Sequence, residues 1–215
     1  MFSAAVFDMD GLLIDSERAI RDAWQSAAQE RGITISTSQY AFVVGRASAE
    51  ADAQLASFLG GKEAFEETRQ VVISKLKVFP AKPGATELLS GLRKREIPCA
   101  VASSSSTTEI KRRLEAAGLA EFFHSFVGGN EVSKGKPDPS VYLLAARRLG
   151  VSPEECLAFE DSPSGIKSAV LAGMQVVAVP DLINPDTSTC LIELGSLTHA
   201  VQHIEAWFSN AKSVT

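Results

Sequence analysis

Five short runs of apolar residues, at 4–7, 99–102, 125–127, 157–159 and 176–179, contain almost no polar alternation. A strand with one wet face alternates apolar and polar residues. A continuously apolar strand belongs to a parallel sheet covered by helices on both faces. Between the later runs the punctuation is helical. Ser106-Thr107-Thr108-Glu109 reads as a capping box, with Gly118 as the stop of the helix it opens. Asp138-Pro139 reads as an N-cap followed by a first-turn proline, and Gly150 sits at the other end. Ser162-Pro163 repeats that start, and Ile166, Ala169, Val170 and Gly173 share one helical face. Strands alternating with such helices predict a doubly wound α/β fold with a parallel sheet.

The alternation fails between residues 16 and 80. Ile20, Ala23, Trp24, Ala27 and Ala28 form a stripe at helical spacing that ends near Gly32. Phe65, Val72, Leu76 and Phe79 suggest a later helix, and nothing between the two reads as a strand. The expected organisation is a Rossmann-like core from 1–15 and 81–215, interrupted by a helical domain at 16–80. The chain returns to the core through Pro80 and Pro83-Gly84. A chain of 215 residues can bury a core of this kind with one modest insert.

Composition removes several classes of function. The net charge is −5, and no face of Lys and Arg stands out, which argues against a nucleic-acid partner. No Gly-x-Gly-x-x-Gly follows a strand, so the dinucleotide fingerprint is missing. The N-terminus runs from Met1 into an acidic motif at Asp8 without the charged start and long apolar core of a signal peptide. No apolar run approaches the roughly 20 residues that span a bilayer. Cys99, Cys156 and Cys190 are odd in number and lack metal-ligand spacing, as reduced thiols in a cytoplasm do. A cytoplasmic monomer without a membrane or nucleic-acid partner is the expectation.

The sharpest chemical signal is Phe7-Asp8-Met9-Asp10-Gly11, where an apolar strand ends in two carboxylates at i and i+2. In extended chain that spacing points both side chains to one side. In open α/β sheets ligands sit beyond the carboxyl ends of the strands. Two acids there are costly unless a cation shares their charge or one stays protonated, and both conditions serve chemistry. A carboxylate beside Mg²⁺ attacks phosphorus, and a protonated partner supplies the leaving oxygen with a proton. A lone Asp-x-Asp-Gly would read better as an acidic turn.

Other strand ends carry complementary groups. The second run ends in Ser103-Ser104-Ser105-Ser106 at a helix start, which offers Ser103 and Ser104 as phosphate-binding hydroxyls. Gly135-Lys136-Pro137 sets a lysine in a rigid turn, and Phe159-Glu160-Asp161-Ser162 ends a strand in two more acids. Asp8 and Asp161, with a backbone carbonyl and waters, suffice for Mg²⁺. Singly, these read as ordinary caps and solvated loop residues. Together, at separate strand ends in chain order, they make an inventory that independent caps would not assemble. His124, His199 and His203 lie outside it and satisfy local structure.

In these motifs the chain closely resembles the haloacid dehalogenase superfamily, and within it the β-phosphoglucomutase-like phosphatases with a helical cap. The resemblance covers nearly the whole chain. It implies that Asp8 is the nucleophile and Asp10 the acid/base, that Ser103 binds the transferring phosphoryl group, and that Lys136 neutralises charge. It also implies a magnesium site formed by the Asp8 side chain, the Asp10 backbone carbonyl, Asp161 and Glu160. The implied reaction is hydrolysis of a small phosphorylated metabolite, such as a sugar phosphate, through an aspartyl-phosphate. The superfamily's dehalogenases lack the second acid, so Asp10 sets dehalogenation aside.

A sugar phosphomutase shares the whole core and is the alternative reading. The mutases carry a cap histidine where Ile20 stands here and a cap arginine where Ala49 stands; Arg46, close by, is the candidate replacement. These departures favour water as the acceptor. A binding protein on the same fold without turnover is a distant third, because Asp8, Asp10, Lys136 and Asp161 are all present.

Overall fold

The structure, a computed structural model, describes residues 1–43, 48–76, 79–182 and 184–208. The chain forms two compact units: Met1–Asp15 with Pro80–Thr215, and Ser16–Phe79.

The first unit is built on six parallel strands in the order β3-β2-β1-β4-β5-β6. They are β1 (Ala4–Phe7), β2 (Cys99–Ser103), β3 (Ser125–Gly128), β4 (Cys156–Glu160), β5 (Gln175–Ala178) and β6 (Ile192–Glu193). All residues of β1, β2 and β4 are buried, which is why their sequences carry no alternation. The chain winds outward from β1 to β3, then crosses to the other side of β1 with β4. The carboxyl ends of β1 and β4 therefore flank the point where the winding reverses, the usual ligand crevice of an open α/β sheet. Phe7 and Phe159 stack across that boundary at 4.6 Å. The unit's helices are α5 (Ala85–Lys94), α6 (Thr107–Ala116), α7 (Ser140–Leu149), α8 (Pro163–Leu171), α9 (Leu197–Ala200) and α10 (Ile204–Trp207), numbered after the four of the second unit. Alanines at 4, 100, 102 and 158 leave room for Val141, Tyr142, Ala145 and Ile166 against one face of the sheet.

The sequence expectations need adjustment in a few places. The stretch after β5 contains β6, only two residues long and half exposed, too short to show a period. Helix α7 starts at Ser140 with Pro139 at the cap, and Asp138 sits one residue outside it. Its carboxylate still accepts a bond from the Ser140 amide at 3.0 Å, so the capping chemistry survives with its position shifted. The capping box of α6 is half made. Ser106 Oγ accepts from the Glu109 amide, but the Glu109 carboxylate turns to Arg112 and Arg113 on its own helix. Two guanidinium groups one turn away outcompete a single backbone donor.

The second unit contains α1 (Ser16–Glu30), α2 (Thr37–Ala41), α3 (Ser48–Leu59) and α4 (Lys62–Lys75). Ala23, Trp24, Ala27 and Ala28 pack with Leu55, Leu59, Phe65 and Val72, and Trp24 stacks on Phe65 at 5.5 Å. Leu76 caps α4 and Phe79 lies beyond it, so the later stripe outruns its helix. Arg46 lies outside the described residues, as does the side chain of Ala49.

The first unit closes around the insertion point. The Asp15 amide donates to the Pro80 carbonyl and the Lys82 amide to the Leu13 carbonyl, both at 2.9 Å, and Ile14 pairs with Ala81 antiparallel.

Candidate active site

Asp8 follows the last residue of β1 and is only 7% exposed, its amide donating to the Phe159 carbonyl on β4 at 3.0 Å. From the loop before α7, Lys136 reaches it with an Nζ···Oδ1 distance of 2.6 Å. The same ammonium donates to Glu160 Oε1 at 2.5 Å, and the Lys136 side chain is 4% exposed. Glu160, the last residue of β4, is fully buried and saturated with donors. Its Oε1 also accepts the Tyr142 hydroxyl at 2.7 Å, and its Oε2 accepts the amides of Asp161 and Ser162 and the Ser162 hydroxyl. Glu160 thus fixes Lys136 on one side and, on the other, holds Ser162, whose hydroxyl caps α8 by accepting the Gly165 amide.

Two glycines make this arrangement sterically possible. Gly11 has φ +85°, and a Cβ there would lie 2.3 Å from Asp161 Oδ2. Only a residue without a side chain lets the turn after Asp10 press against that carboxylate. Gly165, on α8, faces Glu160: a Cβ there would lie 1.8 Å from its Oε1.

Carboxylate oxygens of Asp8, Glu160 and Asp161 lie within 4.8 Å of one another, and all three residues are buried. Among the described residues this is the group with metal-site geometry. Its chemistry suits Mg²⁺, which takes hard oxygen donors and few protein carboxylates. The charge balance points the same way, since three acids face one lysine. Burial pushes the Asp8 carboxyl up to about 8, against the opposing pull of Lys136 and with the help of Glu160 and Asp10. Burial also works against the charge of Lys136, but the Asp8 and Glu160 carboxylates outweigh it and hold the ammonium above the usual lysine range. A divalent cation beside Asp8 and Asp161 removes the excess of negative charge.

Asp10 has partners of its own. Its Oδ2 accepts the Ser105 hydroxyl at 3.0 Å and its Oδ1 accepts Arg113 Nη1 at 2.7 Å. Its side chain is outside the carboxylate group above. Ser103, the last residue of β2, is buried, and its hydroxyl accepts the Ser105 amide at 3.1 Å. Ser104 is exposed, with its carbonyl against Gly129.

The fold therefore brings Asp8, Lys136, Glu160 and Asp161 into one cluster, with Asp10 and Ser103 on neighbouring strand ends. Ser105, Arg113 and Tyr142 escaped the sequence reading. Ser105 lay within the serine run but had no mark to separate it from its neighbours. Arg113 reaches Asp10 across 103 positions of sequence, and Tyr142 reads as an apolar helix residue. Nearby, Lys82 pairs at 2.7 Å with Asp181, whose side chain is 2% exposed.

The family model of haloacid dehalogenase-like hydrolases matches residues 2–173. The chain is 36% identical to hexitol phosphatase A of Escherichia coli (strain K12), over 93% of this chain and 91% of that protein. It is 31% identical to β-phosphoglucomutase of Bacillus subtilis (strain 168), over 89% and 92%. A crystal structure of a HAD family hydrolase from Deinococcus radiodurans R1, with bound phosphate and sodium, matches with a TM-score of 0.83 at 29% identity, covering 98% of this chain and 99% of that one.

Proposed function

The chain belongs to the haloacid dehalogenase-like hydrolase family and is a phosphoric monoester hydrolase, and from that premise we propose a Mg²⁺-dependent phosphatase of small phosphorylated metabolites, with sugar phosphates as the substrate class. The observation that carries this reading is the buried cluster of Asp8, Lys136, Glu160 and Asp161 at the reversal point of the sheet. The relatives named hexitol phosphatase and β-phosphoglucomutase support the substrate class.

Asp8, Asp161 and the backbone carbonyl of Asp10 would hold the metal directly, and Glu160, whose two oxygens already take five donors, would stand behind them and fix Lys136 and the Asp161 backbone. When bound, it neutralises charge on the phosphoryl oxygens and keeps Asp8 ionised. The Asp8 carboxylate attacks phosphorus, the bond to the ester oxygen breaks, and Asp10 gives that oxygen its proton. Asp10 then takes a proton from water as the water attacks the aspartyl-phosphate, releasing inorganic phosphate and restoring Asp8. Lys136 supplies fixed positive charge to Asp8 and to the transferring group, and Ser103 and Ser104 offer hydroxyl contacts to its oxygens. The unit Ser16–Phe79 acts as a cap that selects the substrate, with Arg46 as its cation for a distal anionic group. The protein works as a cytoplasmic monomer.

Conversion of one hexose phosphate into another is the competing outcome, favoured by the mutase relative. The test is phosphate release from a panel of phosphorylated metabolites with Mg²⁺, each hexose phosphate being followed also for isomer conversion. Asp8→Asn and EDTA-treated enzyme run alongside. Release that falls below about a tenth of wild type in the variant supports the nucleophile assignment. Release that survives chelation removes the metal, isomer conversion without release makes the enzyme a mutase, and no reaction on the panel removes the catalytic reading.

A further inference from the structure

Asp10 is held from two directions. The Ser105 hydroxyl occupies Oδ2 and Arg113 Nη1 occupies Oδ1, at 3.0 and 2.7 Å. The two holders differ in kind. Ser105 belongs to the turn between β2 and α6 and offers a single rotatable hydroxyl. Arg113 lies on α6, and its Nε donates to Glu109 Oε2, one turn earlier on the same helix, at 3.1 Å. Its side chain is 18% exposed and that of Asp10 is 28% exposed, so the pair is shielded, unlike an ion pair in open water.

A guanidinium is planar, and its donors keep fixed angles to one another. Anchored at Nε by Glu109, Arg113 presents Nη1 to Asp10 in a defined direction. Helix α6 is itself fixed at its start by the Ser106 cap. A short aspartate with two free torsions thereby gains a reference point on a rigid element. Orientation of this kind matters for a proton-transfer group, because a misplacement of about 1 Å costs up to a hundredfold in rate.

We propose that Arg113 is a positioning residue for Asp10: it holds the carboxyl in the orientation from which the proton reaches the departing ester oxygen. The inference rests on the reading of Asp10 as general acid. It concerns the geometry of the carboxyl group, and Arg113 itself touches neither the nucleophile nor the transferring group.

The test compares two substrates that differ in their need for that proton. p-Nitrophenyl phosphate loses a stable phenolate and needs little protonation; glycerol phosphate or another alkyl ester loses an alkoxide and needs it fully. The quantity compared is kcat/KM, which covers binding through departure of the first product and excludes hydrolysis of the phospho-enzyme, a step common to both substrates. Asp10→Asn serves as the reference. It is expected to lower the alkyl-to-aryl ratio of kcat/KM by about a hundredfold, the scale of acid catalysis.

Arg113→Gln keeps the stem of the side chain and removes its charge. The ratio is expected to fall about tenfold, with the loss on the alkyl ester and in kcat more than in KM. Arg113→Lys restores charge without the planar fork and is expected to lie between Arg113→Gln and wild type. Should Arg113→Gln unfold α6, Arg113→Lys carries the same comparison. An equal loss on both substrates, or no loss on either, overturns the positioning role. An unchanged ratio in Asp10→Asn removes the acid assignment beneath it, a failure distinguishable because it appears in the reference variant.

Discussion

Gly165→Ala is expected to destabilise the protein although it places a better helix former in α8. In a solvent-facing helix the exchange would stabilise by about 1 kcal/mol. Here the new Cβ would lie 1.8 and 2.2 Å from the two Glu160 oxygens. To reach an ordinary separation of about 3.5 Å the carboxylate must retreat by more than about 1 Å. A surface glutamate would swing away, but this one is fully buried, with Lys136 and Tyr142 on Oε1 and two amides and a hydroxyl on Oε2. Bonds of 2.5–3.1 Å cannot all survive such a shift. Losing two of them, at roughly 1.5–2 kcal/mol each for bonds to a charged group, costs about 3–4 kcal/mol. Less the helix gain, the net loss is about 2–3 kcal/mol, or a fall of roughly 4–12 °C in Tm for a chain of this size. Scanning calorimetry of wild type and variant at one pH, with EDTA, measures it. A Tm equal to or above wild type would refute the claim that Glu160 is pinned.

Gly11→Ala forces a residue with a side chain to φ +85° and pushes on Asp161 Oδ2. The stabilisation expected of Mg²⁺ in wild type, about 2.7 kcal/mol at a hundred times Kd and read as a rise in Tm, is expected to fall by more than half; an undiminished rise would separate Asp161 from the metal. In chelated protein, burial holds the Asp8 carboxyl up at about 8 against a usual 3.8, so its acid form is the one the fold prefers. The stability this lends is complete below pH 4 and is lost as pH rises through 8. Asp8→Asn should therefore gain on wild type in Tm between pH 4 and pH 8; a gap independent of pH would contradict the burial argument.

Apart from Lys136, which lies in the loop before α7 and is marked by the glycine and proline beside it, the residues that proved legible share one property: they stand at the break between an apolar strand and a polar turn. Asp8, Ser103 and the Glu160-Asp161 pair are each marked by a local change of composition, and the parallel fold carries all such breaks to one edge. The strands were readable for the same reason, since burial on both faces erases the polar alternation. Arg113 and Tyr142 have no such mark. Each lies on an amphipathic helix where its chemistry matches an ordinary position, and its importance arises from a contact made across the fold. Gly165 is more hidden still, because its backbone is ordinary and only the proximity of Glu160 gives it meaning. Strand β6 and helices α2 and α3 went unread because two to a dozen residues with weak periodicity leave no pattern to find.

The antiparallel pairing of Ile14 with Ala81 has a consequence for how such a chain can change over generations. The two cut ends of the α/β unit are neighbours, joined by backbone hydrogen bonds on both sides of the break. Closing so small a gap costs little chain entropy, and the cost grows only slowly with the length of what is spliced in. Segments of other lengths can therefore be exchanged between Asp15 and Pro80 while the residues that meet at Asp8 keep their places. A gene can thus vary the inserted unit while leaving the α/β unit as it is.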